Sequence, residues 1–208
     1  MQGRLTDLTL REFVERLGAA DPTPGGGSAA AYAGALGASL AGMVGRIAMK
    51  REAPPAVADI VEEADGLRAH FIQLVQDDTA AFDRVTAALA LPKRTASEKT
   101  ARKEELQASL LAASRVPLDA AKAGRRLLAL SERLLEHATS SAISDAGVAA
   151  LLAETAIRGA ALNVMINLAS LADATHVKAL SEELDRAVDG ADAVRAAVVA
   201  RVEAKIAR

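Results

Sequence analysis

Residues 22–50 read PTPGGGSAAAYAGALGASLAGMVGRIAMK, and this stretch decides what kind of fold the chain adopts. No charged residue occurs from Pro22 to Gly45, a run long enough to span a bilayer. Its content argues for another use. Most positions are Ala, Gly or Ser, which carry little apolar area to hold a helix in lipid. The expected element is a buried core helix, with Ser28 as its N-cap and its end near Lys50. Tyr32, Leu36, Leu40, Met43 and Ile47 fall on one large-residue stripe, while Ala33, Gly37, Ala41 and Gly45 form a small one. Each Gly costs a helix about 1 kcal/mol relative to Ala. Several in one helix point to close helix packing, at the centre of the protein or of a dimer, or to a site that requires them.

Outward from this helix the pattern stays helical. Thr9-Leu10-Arg11-Glu12 has the form of a capping box, with Phe13 and Leu17 following at helical spacing, so a short helix is expected to about residue 19. Pro54-Pro55 opens a long apolar-faced helix that should end near Leu91-Pro92. Thr95-Ala96-Ser97-Glu98 is a second capping box, starting a helix that should stop at Pro117 and resume from Leu118 to about Glu136. A helix capped near Ser144 should reach Leu171. A last one should run from about Ala174 to Ile206, broken near Asp189-Gly190. No segment alternates apolar and polar residues as a half-buried strand does. The fold expected is therefore all-α, a bundle of long helices forming one domain over residues 1–208.

Composition limits the partners. Hydrophobic residues make up 51% of the chain and aromatics 2%, so the apolar mass is mostly Ala, Leu and Val. A formal net charge of -2 with interspersed signs provides no basic field for nucleic acid or an anionic membrane, and neither is expected as a partner. There is no Cys, and His70, His137 and His176 lack metal-ligand spacing, so no metal site is expected. The first twenty residues contain no apolar signal core, and a cytoplasmic location is expected.

Four local features carry possible chemistry. Gly25-Gly26-Gly27 before Ser28 leads exposed backbone N–H groups into a helix start, which suits an anion or a carbonyl. An ordinary turn with an N-cap reads equally well. The triplet lacks the Lys-Ser/Thr pair of a P-loop, and no strand precedes it. Asp78 lies four residues from both Leu74 and Phe82, on the apolar face of its helix, while Asp77 points about 100° away. A carboxylate on that face must be paired or used, and burial would raise its pKa; a solvated face is the alternative. Lys93 and Arg94 sit beside a helix N-terminus, where cations oppose the dipole unless an anion is near. Ser144-Asp145 opens a helix that carries Asn163 and Asn167 among apolar neighbours. Amides there need hydrogen-bond partners, most simply across a helix pair.

In this order the fragments resemble the cyclodeaminase/cyclohydrolase family of folate enzymes. The resemblance rests on Pro-Thr-Pro-Gly-Gly-Gly-Ser at 22–28, Asp78 with Ala81-Phe82, and Leu91-Pro92-Lys93 followed by Glu98-Lys99. It continues through Val116-Pro117-Leu118, Ser144-Asp145-Ala146-Gly147-Val148-Ala149 and Gly159-Ala160-Ala161-Leu162-Asn163-Val164. The resemblance implies an all-α bundle that forms a homodimer and needs no cofactor beyond a tetrahydrofolate substrate. It implies Asp78 as the acid–base residue. Around it, Pro24, Gly25, Gly26, Gly27, Ser28, Lys93, Ser144, Asp145 and Asn163 would bind substrate.

One departure concerns residues 138–141. The family usually has Gly-Asn shortly before the Ser-Asp pair, whereas this chain has Ala138-Thr139-Ser140-Ser141. Ala and Thr resist the left-handed backbone that Gly and Asn accept, so this turn is expected to differ, which bears on substrate identity more than on fold. The activity expected is hydrolysis of 5,10-methenyltetrahydrofolate to 10-formyltetrahydrofolate. The alternatives are cyclodeamination of 5-formiminotetrahydrofolate and a non-catalytic folate-binding protein. With no formiminotransferase segment in the chain, the hydrolase is the favoured expectation.

Overall fold

The computed structural model describes residues 4–51 and 53–207. Residues 1–3, 52 and 208 of the expected domain lie outside the described residues. Among the described residues a 3-10 turn (Leu5–Asp7) precedes α1 (Leu10–Leu17), α2 (Gly26–Met49), α3 (Ala56–Ala90) and α4 (Ala96–Leu134). Then follow α5 (Ile143–Leu168), α6 (Ala174–Val188) and α7 (Ala191–Ile206), with no strand among the described residues. Both capping boxes form. Thr9 Oγ1 accepts the Glu12 N–H at 3.3 Å while the Glu12 carboxylate accepts the Thr9 N–H at 2.7 Å. Thr95 and Glu98 repeat the exchange at 3.1 and 2.9 Å.

Helices α2 to α5 make a closed four-helix bundle, each antiparallel to the next. Gly34 of α2 lies on Phe71 of α3, and Gly45 lies on Val61. Glu63 of α3 meets Arg126 and Arg133 of α4, and Gly124 of α4 meets Ile157 of α5. The ring closes where Gly37 of α2 meets Ala149 and Leu152, and Gly159 meets Ala30. Helices α6 and α7 lean on α4 and α5. One hydrophobic core draws on every helix, from Phe13 in α1 to Val202 in α7.

Two expectations change, concerning Pro117 and the start of α5. In α2, Gly37, Ala41 and Gly45 face inward, and Tyr32, Leu40 and Ile47 of the large stripe pack against the core while Leu36 and Met43 stay exposed. Contact on two sides requires small side chains on both inner faces. A methyl at Gly34 would stand 2.4 Å from the Phe71 ring, and one at Gly45 would stand 2.5 Å from Val61 Cγ2. Pro117 does not end a helix, because α4 runs unbroken through it. Finally, α5 starts from Ala142 with no side-chain cap, so Ser144 sits inside its first turn. The break between α6 and α7 falls where expected. Gly190 takes φ 65°, a left-handed conformation that a Cβ would strain.

Candidate active site

The expected cap of α2 is also in a different place. The helix begins at Gly26 with Gly25 at the N-cap position, and Ser28 is its fully buried third residue. Its partner comes from α3. Ser28 donates Oγ–H to Asp78 Oδ2 at 2.8 Å, with Val75 O further off at 3.3 Å. The start of an α-helix leaves N–H groups without intrahelical acceptors. Here a carboxylate on the neighbouring helix, rather than a local side chain, supplies the oxygen.

That arrangement requires Gly27. A methyl there would stand 2.1 Å from Asp78 Oδ1 and 2.6 Å from its Cγ. The glycine therefore serves close approach of two helices at a polar atom. Burial pushes the Asp78 carboxyl above its ordinary value, and the hydroxyl and backbone N–H of Ser28 pull partly the other way by stabilising the anion. Asp77 turns to the outer face, where it accepts from Gln73 Nε2 at 2.8 Å.

A cavity of about 340 Å³ opens in front of Asp78. Pro22, Thr23 and Gly25–Gly27 form one side, Ala81, Phe82 and Val85 of α3 a second, and Ala113 of α4 a third. Asn163, Ile166, Asn167 and Ser170 complete it from the end of α5. Asp78 is the one titratable side chain in this described lining. Both amides are anchored: Asn163 donates Nδ2–H to Gly159 O at 2.9 Å, and Asn167 donates to Ala113 O at 3.0 Å. Phe82, on the apolar face of the sequence pattern, proves 41% exposed and lines this mouth instead of the core.

The structure brings together Gly25, Gly26, Gly27, Asp78 and Asn163, with Ser28 behind Asp78 and Pro24 buried under the loop, after a cis Thr23–Pro24 bond. Lys93 stands outside, past the end of α3, about 18 Å from Asp78 by helical rise to Ala90. Ser144 and Asp145 lie at the opposite end of α5 from Asn163, about 28 Å away by the same measure. Pro22, Thr23, Phe82, Ile166, Asn167 and Ser170 were not among the expected binding residues. Pro22, Thr23 and Phe82 lie in fragments that carry the family resemblance, and Asn167 is a polar residue in an apolar run; the membership of Ile166 and Ser170 depends on which helices converge. The 138–141 turn is held by a 3.1 Å hydrogen bond between Thr139 Oγ1 and Ser141 Oγ, with the Ala142 N–H on Thr139 O at 3.0 Å.

An antiparallel helical bundle with a half-buried carboxylate facing a cavity between its helices defines the class of protein. The particular family follows from comparison: residues 9–186 match the formiminotransferase-cyclodeaminase family, and the chain belongs to it. It is 36% identical over 202 residues to the methenyltetrahydrofolate cyclohydrolase of Methylorubrum extorquens, covering 95% of this chain and 97% of that one. It is 34% identical over 205 residues to the formimidoyltransferase-cyclodeaminase of Rattus norvegicus, covering 97% of this chain but 38% of that protein. The crystal structure of formiminotetrahydrofolate cyclodeaminase from Thermotoga maritima superposes with a TM-score of 0.80 at 29% identity, covering 97% of this chain and 96% of that one.

Proposed function

We propose that this chain is a methenyltetrahydrofolate cyclohydrolase that uses Asp78 as its acid–base group. The observation that carries the reading is a lone half-buried carboxylate, held by Ser28 and facing a cavity, in a chain similar along its length to a cyclohydrolase. The Asp78 carboxylate takes a proton from water as its oxygen bonds to the methenyl carbon, leaving a neutral carbinol between N5 and N10. The carbinol O–H proton then leaves, the C–N5 bond breaks, and Asp78 returns its proton to N5. The net change is one water consumed and one proton released, so the reaction needs no cofactor beyond the folate. A raised carboxyl suits this role, because it brings the group's pKa nearer to working pH.

Gly25–Gly27 offer the substrate backbone at close range, and Phe82 and Ile166 offer apolar walls to a flat ring. Asp78, Phe82 and Val85 line the side of α3 that leads toward Lys93, which suits the carboxylate end of a folate. Cyclodeamination remains a second reading, favoured by the likeness to a solved cyclodeaminase. We place the enzyme in the cytoplasm with its soluble substrate.

The working unit is inferred to be a homodimer. Ser144, Val148, Leu151, Thr155, Arg158, Leu162 and Met165 recur at alternating steps of four and three along α5, and all are exposed. Leu36 and Met43 of α2 add exposed apolar surface. A two-fold axis crossing α5 near Thr155 would set the partner's first α5 turn beside the Asn163 end, bringing the partner's Ser144 and the partner's Asp145 to the cavity mouth. This reconciles their expected role with their distance from Asp78 along one chain.

An absorbance assay separates the readings. A cyclohydrolase removes the methenyl chromophore of 5,10-methenyltetrahydrofolate, and a cyclodeaminase creates it from 5-formiminotetrahydrofolate. Neither change, with retained folate binding, would mark a non-catalytic binder.

A further inference from the structure

Pro117 is buried inside α4 and has no N–H, so the carbonyl four residues earlier, Ala113 O, loses its regular helical donor. The gap is filled from α5, where Asn167 donates Nδ2–H to Ala113 O at 3.0 Å. A carbonyl can only accept, so this bond fixes which end of the amide is which and turns Oδ1 away from Ala113. One turn earlier, the bond from Asn163 Nδ2 to Gly159 O orients that amide by the same logic. Both side chains line the cavity with Asp78, and among the described residues neither Oδ1 meets a protein donor. Each amide thus keeps its Oδ1 as an acceptor of fixed orientation, beside the one N–H of its NH2 that the helix carbonyl does not take.

We propose that Asn167 is a specificity-determining residue, held by the carbonyl that Pro117 leaves open so that its Oδ1 is a fixed acceptor for an N–H of the substrate ring. The inference rests on the folate reading above. A reduced pterin carries an amino group and ring N–H groups along one edge, and an N–H on that edge is what a fixed amide Oδ1 can accept.

Substitution at Asn167 alone mixes two effects, because it strands the Ala113 carbonyl and also removes the acceptor. Pro117→Ala separates them by giving Ala113 O a donor from its own helix. Asn167→Ala should raise KM for 5,10-methenyltetrahydrofolate roughly 3- to 12-fold with kcat little changed, the loss of one hydrogen bond. It should also lower the melting temperature by about 2–4 °C. In the Pro117→Ala, Asn167→Ala double variant the melting temperature should recover while KM stays raised. Recovery of KM together with stability would show that Asn167 only supports the helix, and overturn the proposal. So would an unchanged KM in Asn167→Ala. If that single variant does not fold, the double variant, which has no open carbonyl, still gives the answer. A wild-type chain without turnover would defeat the catalytic reading. The same comparison is then made on the Kd of 5-formyltetrahydrofolate by calorimetry, and absence of any binding overturns both readings.

Discussion

At Asp78 burial disfavours the charged carboxyl, and the hydroxyl and backbone N–H of Ser28 offset part of that cost. Ser28→Ala removes a hydrogen bond to the charged form, so the Asp78 carboxyl should rise further. The acid limb of the kcat profile should then move to higher pH by about one unit or more, measured across a buffer series. An unmoved limb would mean that Ser28 serves packing alone. Within one chain, the described lining from α2, α4 and α5 brings no titratable side chain beside Asp78. Stability should respond with a defined sign. A carboxyl raised in the folded state favours folding below its unfolded value, and that contribution is lost as pH rises through the folded value. Asp78→Asn mimics the neutral form, so it should melt higher than wild type near pH 7, with the gap closing below about pH 4. The sequence disclosed Asp78 through its four-residue spacing from Leu74 and Phe82. It misplaced Ser28, because a capping rule sees only local neighbours and the true partner lies 50 positions away.

At the scale of the element, α2 shows why glycines are tolerated in a long helix. Gly34 and Gly45 allow α3 to sit on its backbone, and Gly27 extends the same contact to the carboxylate of Asp78. Gly34→Ala would force the Phe71 ring to shift within a closed core. It should cost about 1–3 kcal/mol despite the better helix propensity of Ala, read as a lowered midpoint in urea. Equal or greater stability would show that the helices have room to separate. The helix boundaries were largely legible, because capping boxes and proline pairs act locally. Pro117 was not read correctly: whether a proline ends a helix depends on what repairs its open carbonyl, here Asn167 from a helix 50 positions later.

At the scale of the molecule, α2 and α5 are both long and apolar enough to cross a membrane by length and composition, yet each presents one face to the bundle core. The outer stripe of α5 accounts for the rest of that apolar character if a second copy covers it. Leu151→Glu, placed mid-stripe and outside the cavity, should convert a dimer to monomer in sedimentation at micromolar concentration, with turnover falling alongside. A wild-type monomer under those conditions would remove the dimer from the account. The all-helical class was readable from the sequence, since alanine richness and helical periodicity agree everywhere. The cavity was readable only as scattered residues, because its walls come from four helices whose register no single segment encodes. The central claim, that Asp78 performs the proton transfers of a folate cyclohydrolase, is tested most directly by comparing wild type with Asp78→Asn in loss of methenyl absorbance under saturating 5,10-methenyltetrahydrofolate. Steady loss is expected with wild type, and a kcat lower by about 10²–10⁴-fold in a folded Asp78→Asn variant; near-equal turnover by the two proteins would contradict that role.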